Sequence, residues 1–107
     1  MNSFNKLRQN NKWFSKVPLE LHGHRKKLNY FVSQLDLYSK EHKLMHRDIS
    51  VMEVGCSNGR NISLPLSEFG YQVTGVDIHK PSIEWANANN DFANTEFICQ
   101  DFNKFKS

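Results

Sequence analysis

The amino-acid sequence predicts an α/β fold with a parallel sheet, preceded by a helical segment. Three β-rich runs, ISVMEV (49–54), YQVTGVD (71–77) and TEFICQD (95–101), alternate with stretches that are typical of helices. A β–α–β–α–β order with short connections gives parallel strands joined by right-handed crossovers. The first run is largely apolar, which is typical of a strand buried on both faces at the centre of a sheet.

Helices are indicated by residue spacing and by signals at their ends. A first helix is predicted over roughly residues 25–45, where apolar side chains recur at helical spacing. The stretch after Gly55 predicts a turn and then a helix that ends near Phe69, with Gly70 as its stop signal. A third helix is predicted after the second strand, because Pro81 suits a first helical turn.

Charge divides the chain into two parts. Residues 1–47 contain ten Lys or Arg and three acidic residues, whereas residues 48–107 contain four Lys or Arg and eight acidic residues. A basic helical segment can bind an anionic acceptor or partner, but a solvated helix face has the same composition. No arginine cluster with interleaved aromatic residues favours nucleic acid. The basic part therefore leaves the identity of a partner open.

Composition is that of an ordinary globular protein. The chain has 107 residues, of which 38% are hydrophobic and 23% charged, so one small domain is expected. The sequence contains no apolar run of about 18 residues and no apolar centre of a secretory signal, which predicts a cytoplasmic protein without a membrane span. Cys56 and Cys99 share no metal or redox spacing. His42 and His46 have the spacing of two metal ligands but lack a third, so no metal site is expected.

Small or acidic residues stand where each predicted strand ends. These residues are Gly55, Asp77 and Asp101, and ligands of parallel sheets bind at the carboxyl ends of the strands. Gly55 and Gly59 frame a turn before a helix N-terminus, where backbone N–H groups attract an anion. Asp77 lies 22 residues after Gly55, a spacing typical of an acid that binds ribose hydroxyls. Together with Asp101, an acceptor suited to an exocyclic amine, this pattern predicts an adenosine-containing ligand.

Known nucleotide motifs fit this turn unequally. The dinucleotide fingerprint G-x-G-x-x-G requires glycine where this chain has Ser57 and Arg60. The phosphate-binding loop G-x-x-x-x-G-K-[ST] is absent from the sequence. The segment instead reads E-x-G-x-x-x-G, from Glu53 to Gly59.

With this motif the chain resembles the class I S-adenosylmethionine-dependent methyltransferases over residues 49–102. VMEVGCSNGRN looks like the first motif of that family, VTGVDIHKPSIEWAN like the strand, acid and helix that follow, and FICQDF like the end of its third strand. The resemblance implies S-adenosylmethionine as cofactor and a Rossmann-like sheet. It further implies that residues 48–107 are a partial cofactor-binding domain, truncated after the third strand of its βαβαβ half. Charge and apolar spacing indicate that a basic helical segment (1–47) precedes it.

The resemblance also implies roles for the residues of the turn. Gly55, Cys56, Ser57 and Gly59 would line the methionine part of the cofactor, and Glu53 would orient their loop. Ser57 stands where the family usually has a glycine. Cys56 is expected to have a lowered thiol pKa, because it is predicted to lie at a helix N-terminus.

The same resemblance assigns the nucleoside contacts to the second and third strand ends. Asp77 would hold the ribose hydroxyls, and Ile78 would pack on the adenine. Asp101 would accept a hydrogen bond from the adenine amino group, while the backbone N–H of Phe102 would meet a ring nitrogen. No catalytic residue is identified.

Alternatives to a methyltransferase remain open at this point. The chain ends before the segments that bind the acceptor in the resembling family, so it is expected to be inactive alone, and a non-catalytic adenosine-binding fragment or interaction module is an alternative. An NAD-dependent oxidoreductase is a weaker alternative.

The first strand is predicted to have an open outer edge, because the family's strand order is 3-2-1-4-5 and the fourth strand is absent from this sequence. Such an edge favours a homodimer, a partner chain or aggregation.

Overall fold

The computed structural model describes residues 24–101 and contains helices and strands in the predicted order. The predicted contact of Phe102 lies outside the described residues. Residues 1–23 of the basic segment also lie outside them. The elements, in chain order, are helix α1 (His24–Glu41), a short 3-10 helix (His46–Asp48), strand β1 (Ser50–Val54), helix α2 (Ser63–Glu68), strand β2 (Gln72–Asp77), helix α3 (Lys80–Asn89) and strand β3 (Thr95–Cys99).

The three strands form one parallel sheet in the order β1-β2-β3. In its register Val51 lies beside Val73, and Glu53 lies beside Gly75. Gly75 in turn lies beside Phe97 of β3. The predicted α/β fold with parallel strands is therefore confirmed, and the carboxyl ends of all three strands meet at one edge.

Within residues 24–101, all three helices cover the same face of the sheet. Both crossovers run in the same direction along the sheet, and their right-handedness places α2 and α3 on one side. On the opposite face Met52 and Val54 are 42% and 47% exposed. The expectation that the first strand is buried on both faces is therefore wrong for the described part of the chain, where β1 is an edge strand with one covered face.

Helix α1 shares a hydrophobic core with the sheet. Leu28 and Val32 of α1 are fully buried and pack with Tyr71 and Val73 of the second strand region. A second core cluster lies under the turn that follows β1 and contains Cys56, Leu64, Ile83, Ala86 and Phe97. The helix that precedes the sheet is thus part of the same packed body.

The helix ends differ from the prediction in ways that local chemistry explains. Helix α1 ends at Glu41 rather than near residue 45, because Lys43 adopts a positive φ of 55° and reverses the chain. Pro65 lies in the first turn of α2, where its missing N–H has no intrahelical partner to lose. Gly70 has a φ of +103° directly after α2, as expected of a helix stop signal.

The two histidines with metal-like spacing lie in different surroundings. His42 follows the end of α1 and its ring packs at a tilt against that of Tyr38, whereas Nδ1 of His46 lies 2.8 Å from the carbonyl oxygen of Phe69. Among residues 24–101 there is no group of three potential metal ligands. The same part of the chain also contains no helix with the length and apolarity needed to cross a membrane.

Candidate functional site

The turn after β1 is a loop of small residues with unusual backbone angles. Gly55, Ser57 and Gly59 all have positive φ values, of 74°, 55° and 75°. The N–H groups of Gly55 and Cys56 both donate to the carbonyl oxygen of Val76, at 2.7 and 3.1 Å, and so fasten the loop to β2. Left-handed angles are sterically costly for residues with a Cβ, which explains why this segment is rich in glycine.

The two glycines of the loop serve different purposes. A Cβ on Gly59 would collide with the ring of Phe97, so this glycine allows β3 to pack close beneath the loop. A Cβ on Gly55 would have no atom within 4 Å, so the space outside this residue is open. Gly55 therefore provides a backbone that a ligand can approach.

Asp77 connects the loop to the end of β2. Its Oδ2 accepts a hydrogen bond from the backbone N–H of Ser57, and its Oδ1 accepts one from the backbone N–H of His79, both at 2.8 Å. The His79 bond is the main cause that lowers the pKa of Asp77, and the Ser57 bond acts in the same direction. The strand end thus presents an ionised carboxylate.

Four residues predicted to bind the cofactor lie around one cavity at the carboxyl edge of the sheet. The backbone N–H of Gln100 donates to the carbonyl oxygen of Asp77 at 2.9 Å, which draws the end of β3 to that of β2. The cavity has a volume of about 210 Å³ and is lined by Val54, Gly55, Val76, Asp77, Ile78, Gln100 and Asp101. Ile78 is 69% exposed, so an apolar surface is available beside the carboxylate.

Cys56 does not behave as the sequence suggested. Its thiol is buried beneath the loop, and burial is the main cause that raises its pKa to about 12, with the charges of Glu53 and Asp77 adding to the effect. The predicted lowering of this pKa is wrong because α2 begins only at Ser63, so Cys56 is not at a helix N-terminus. Any ligand contact from Cys56 would come from its backbone.

Glu53 lies on the covered face of the sheet and not in the cavity at the strand ends. Its Oε1 accepts a hydrogen bond from the hydroxyl of Ser63, the first residue of α2. Burial raises the pKa of Glu53 to about 7, against the hydrogen bonds from Ser63 and the charge of Lys27, which lower it. Glu53 therefore joins the end of β1 to the start of α2, which are the two flanks of the loop.

A second cavity, of about 500 Å³, runs along the outer edge of β1 between α1 and α2. It touches the first cavity at Val54 and Gly55. Its described lining consists of Lys27, Phe31, Gln34, Leu35, Val51, Met52, Glu53, Val54, Gly55, Ile62 and Leu66. The sequence pattern gave no signal for the hydrogen bond from Ser63 to Glu53 or for Lys27 in the same cavity, because both depend on how the helices pack.

A parallel sheet with a glycine loop after its first strand and an acid at the end of its second defines the nucleotide-binding half of a Rossmann-like domain. Residues 51–107, more than half of the chain, match the family described as "Methyltransferase domain". The chain therefore belongs to the class I S-adenosylmethionine-dependent methyltransferase family, as a partial domain. No curated protein sequence matches the chain.

Solved methyltransferase structures share the fold. Coclaurine N-methyltransferase bound to N-methylheliamine and SAH is similar with a TM-score of 0.51 and 21% identity, over 71% of this chain and 23% of that enzyme. The plantazolicin methyltransferase BpumL, in complex with a monoazolic desmethylPZN analog and SAH, is similar with a TM-score of 0.56 and 21% identity, over 96% of this chain and 35% of that enzyme. The chain thus spans between about a quarter and a third of the length of these proteins. The predicted Rossmann-like fold is confirmed.

Proposed function

We propose that this chain is the cofactor-binding portion of an S-adenosylmethionine-dependent methyltransferase, and that it binds S-adenosylmethionine or S-adenosylhomocysteine at the ends of its three strands. One observation carries the proposal: Gly55, Asp77, Ile78 and Asp101 line a single cavity at the carboxyl edge of the sheet. Their chemistry suits a nucleoside joined to a polar chain, because an open glycine backbone, a carboxylate and an exposed apolar side chain lie side by side.

The proposed contacts follow from the charge and exposure of each group. The carboxylate of Asp77 accepts backbone N–H groups and, with two lone pairs on each oxygen, can also accept from a ribose hydroxyl. The exposed side chain of Ile78 would cover the adenine, and Asp101 would accept from its amino group. The loop of Gly55, Ser57 and Gly59 would face the methionine part. The contact of Phe102 stays a prediction, because this residue lies outside the described range.

The chemistry of such an enzyme is an in-line displacement. S-adenosylmethionine, when bound, would supply a methyl group that bonds to a nucleophile of the acceptor as the carbon–sulfonium bond breaks. The sulfur would become a neutral thioether, and the positive charge would pass to the acceptor or to a released proton. The protein contributes mainly by aligning the two reactants. In this chain the loop and the strand ends would fix the position of the methyl donor, and the methyl acceptor is not identified.

Calorimetric titration with S-adenosylhomocysteine tests the proposal. Asp77→Ala is expected to weaken binding about 10- to 100-fold, because it removes a charged hydrogen-bond acceptor. Glu84→Ala is the matched control, since Glu84 is an exposed acid on α3 that pairs with Lys80 away from the cavity. Equal affinities of wild type and Asp77→Ala would refute the ribose contact. Binding of NAD in preference to S-adenosylhomocysteine would favour the alternative of an oxidoreductase.

The outer edge of β1 supports a proposal about partners. Within residues 24–101 no strand pairs with this edge, and Met52 and Val54 are exposed beside it. We propose that another β-strand pairs here, from a second copy or from a partner chain, because an unpaired edge is a template for strand addition. Light scattering over a concentration series, with hydrogen exchange of residues 50–54, tests this. A monodisperse monomer with well-protected amides in β1 would contradict it.

A further inference from the structure

We propose that Lys27 of α1 is a positioning residue for the cofactor loop, and that it acts by keeping the carboxylate of Glu53 charged. The inference rests on the proposed function, because the loop matters only if the cofactor binds there. It adds a residue from outside the motifs and from an element that precedes the sheet.

The packing of α1 places Lys27 at the cavity beside β1. Lys27, Phe31 and Gln34 follow one another at spacings of four and three residues, so they lie on one face of the helix. All three line the cavity of about 500 Å³ that also contains Glu53 and Gly55. The adjoining Leu28 and Val32 are fully buried in the core and hold this face in place. Lys27, at the exposed rim, and the partly buried Glu53 therefore line one open cavity.

The charge of Lys27 can affect the cofactor loop through Glu53, whose hydrogen bonds hold the loop in place. The hydroxyl and the backbone N–H of Ser63 both donate to its carboxylate. Ser63 begins α2, and Glu53 lies near the end of β1, so these bonds tie together both flanks of the intervening loop. An ionised carboxylate accepts with both oxygens, whereas a protonated one converts one oxygen into a donor. The loop is held best when Glu53 is charged.

The surroundings of Glu53 oppose that charge. Burial raises its pKa to about 7, and the nearby charge of Asp77 adds to this effect. The bonds from Ser63 and the charge of Lys27 lower the pKa. Among the described residues that line the cavity, Lys27 is the one base. Glu53 is thus close to the midpoint of its titration near neutral pH, where the loss of one nearby cation changes its ionised fraction most.

Three variants separate this role from a general effect of charge. Lys27→Gln removes the charge and keeps most of the length, and Lys27→Arg retains the charge. Lys26→Gln is the matched control, because it removes the same charge from the neighbouring residue, which is not among the described residues that line the cavity. Both substituted positions, Lys26 and Lys27, lie on the exposed surface of α1, so all three variants are expected to keep the fold.

The first measurement is the titration of the Glu53 carboxyl carbon by ¹³C NMR in the cofactor-free protein. Lys27→Gln is expected to shift the midpoint upward by about half a pH unit, the size expected for one screened ion pair. Lys27→Arg is expected to restore the midpoint of wild type, and Lys26→Gln to leave it unchanged. The shift should shrink at high salt, since screening weakens the interaction.

The second measurement is the affinity for S-adenosylhomocysteine as a function of pH. Lys27→Gln is expected to bind about twofold more weakly than wild type near pH 7, because a half-unit shift halves the ionised fraction of Glu53, and equally well at pH 8.5, where Glu53 is ionised in both proteins. Equal Glu53 midpoints in Lys27→Gln and wild type would overturn the role of Lys27, as would an equal shift in Lys26→Gln. Failure of the wild-type chain to bind S-adenosylhomocysteine at any pH would instead refute the proposed function.

Discussion

The backbone N–H of Ser57 donates a hydrogen bond to Oδ2 of Asp77 at 2.8 Å, and this bond joins the loop after β1 to the end of β2. Ser57 has a φ of 55°, in the left-handed region that costs a residue with a Cβ about 1 kcal/mol or more. The fixed acceptor on β2 holds this residue in its unfavourable conformation. A serine is accommodated at a position where the methyltransferase family usually has glycine because a tertiary contact supports it.

The strain at Ser57 gives the first prediction. Ser57→Gly is expected to stabilise the fold by about 0.5–1 kcal/mol, since relief of the left-handed backbone outweighs the added entropy of the unfolded chain. The free energy of unfolding in urea measures this. Ser33→Gly, at an exposed position inside α1, is the control and should destabilise by about 0.5 kcal/mol. Similar losses in both variants would show that Ser57 is not strained.

The positions of these loop residues could be predicted because they are encoded locally. Two glycines follow the first β-rich run, and an acidic residue stands at the end of each of the next two β-rich runs. These residues mark the strand ends in the sequence itself. Parallel pairing then brings Gly55, Asp77 and Asp101 to one edge, whatever the details of packing. This is why the fold and the arrangement of the strand ends follow from the pattern alone.

Contacts between distant segments could not be predicted in the same way. The expected lowering of the pKa of Cys56 failed because the sequence does not reveal that α2 begins at Ser63, several residues after the loop. Lys27 lies in the first turn of α1 and Glu53 lies in β1, and only the docking of that helix brings both to the same cavity. Periodicity shows that a helix has an apolar face but not which cavity its polar residues enter.

The close approach of β3 to β2 gives the second prediction. A Cβ on Gly75 would lie 2.6 Å from Cδ1 of Phe97 and 2.9 Å from Sγ of Cys56. Gly75→Ala is therefore expected to destabilise the fold by about 1–3 kcal/mol through overpacking. Thermal unfolding measures the loss. Phe97→Leu in the same chain should recover part of it, and strictly additive effects of the two changes would contradict the contact.

Gly55 gives a prediction about ligand binding rather than about stability. A Cβ at this position would meet no atom within 4 Å, so Gly55→Ala strains only the backbone, at about 1 kcal/mol. The added methyl group would occupy the space in which the cofactor is proposed to lie. Gly55→Ala should therefore weaken S-adenosylhomocysteine binding in calorimetry far more than Gly75→Ala does, when both are compared at temperatures where each is folded. The reverse order of affinities would place the ligand elsewhere.

Tyr71 carries a buried polar group whose removal is expected to stabilise the protein. Its hydroxyl is fully buried and has no hydrogen-bond partner among the described residues. Burial and the charge of Asp36 both raise the pKa of Tyr71, so the phenol stays neutral. Tyr71→Phe should increase the free energy of unfolding by up to about 1 kcal/mol, since it removes an unsatisfied group without loss of ring packing. Tyr38→Phe, on the exposed surface of α1, should change it little, and a clear loss in Tyr71→Phe would reveal a bond to its hydroxyl.

The buried carboxyl group of Glu53 predicts how stability depends on pH. Its pKa in the folded protein, about 7, lies above the ordinary value of 4.5, so the folded state binds this proton more tightly than the unfolded state. The resulting contribution to stability is fully present below pH 4.5 and is lost as pH rises through 7, with a total of at most about 3 kcal/mol. Glu53→Gln carries no such proton, so it should match wild type near pH 4.5 and become progressively more stable than wild type up to pH 8.

Urea unfolding of the two proteins between pH 4.5 and 8 measures this difference directly. The other titrating groups, including Asp77 with its lowered pKa, act in both proteins and largely cancel in the comparison. Glu84→Gln replaces an exposed acid and serves as the control. Its free energy of unfolding should change with pH in parallel with that of wild type. Because the charged form of Glu53 is the one proposed to hold the cofactor loop, Glu53→Gln should also bind S-adenosylhomocysteine more weakly at pH 8, where it is the more stable protein. Parallel stability curves for Glu53→Gln and wild type would show that the carboxyl group titrates at its ordinary pKa and that burial does not oppose its charge.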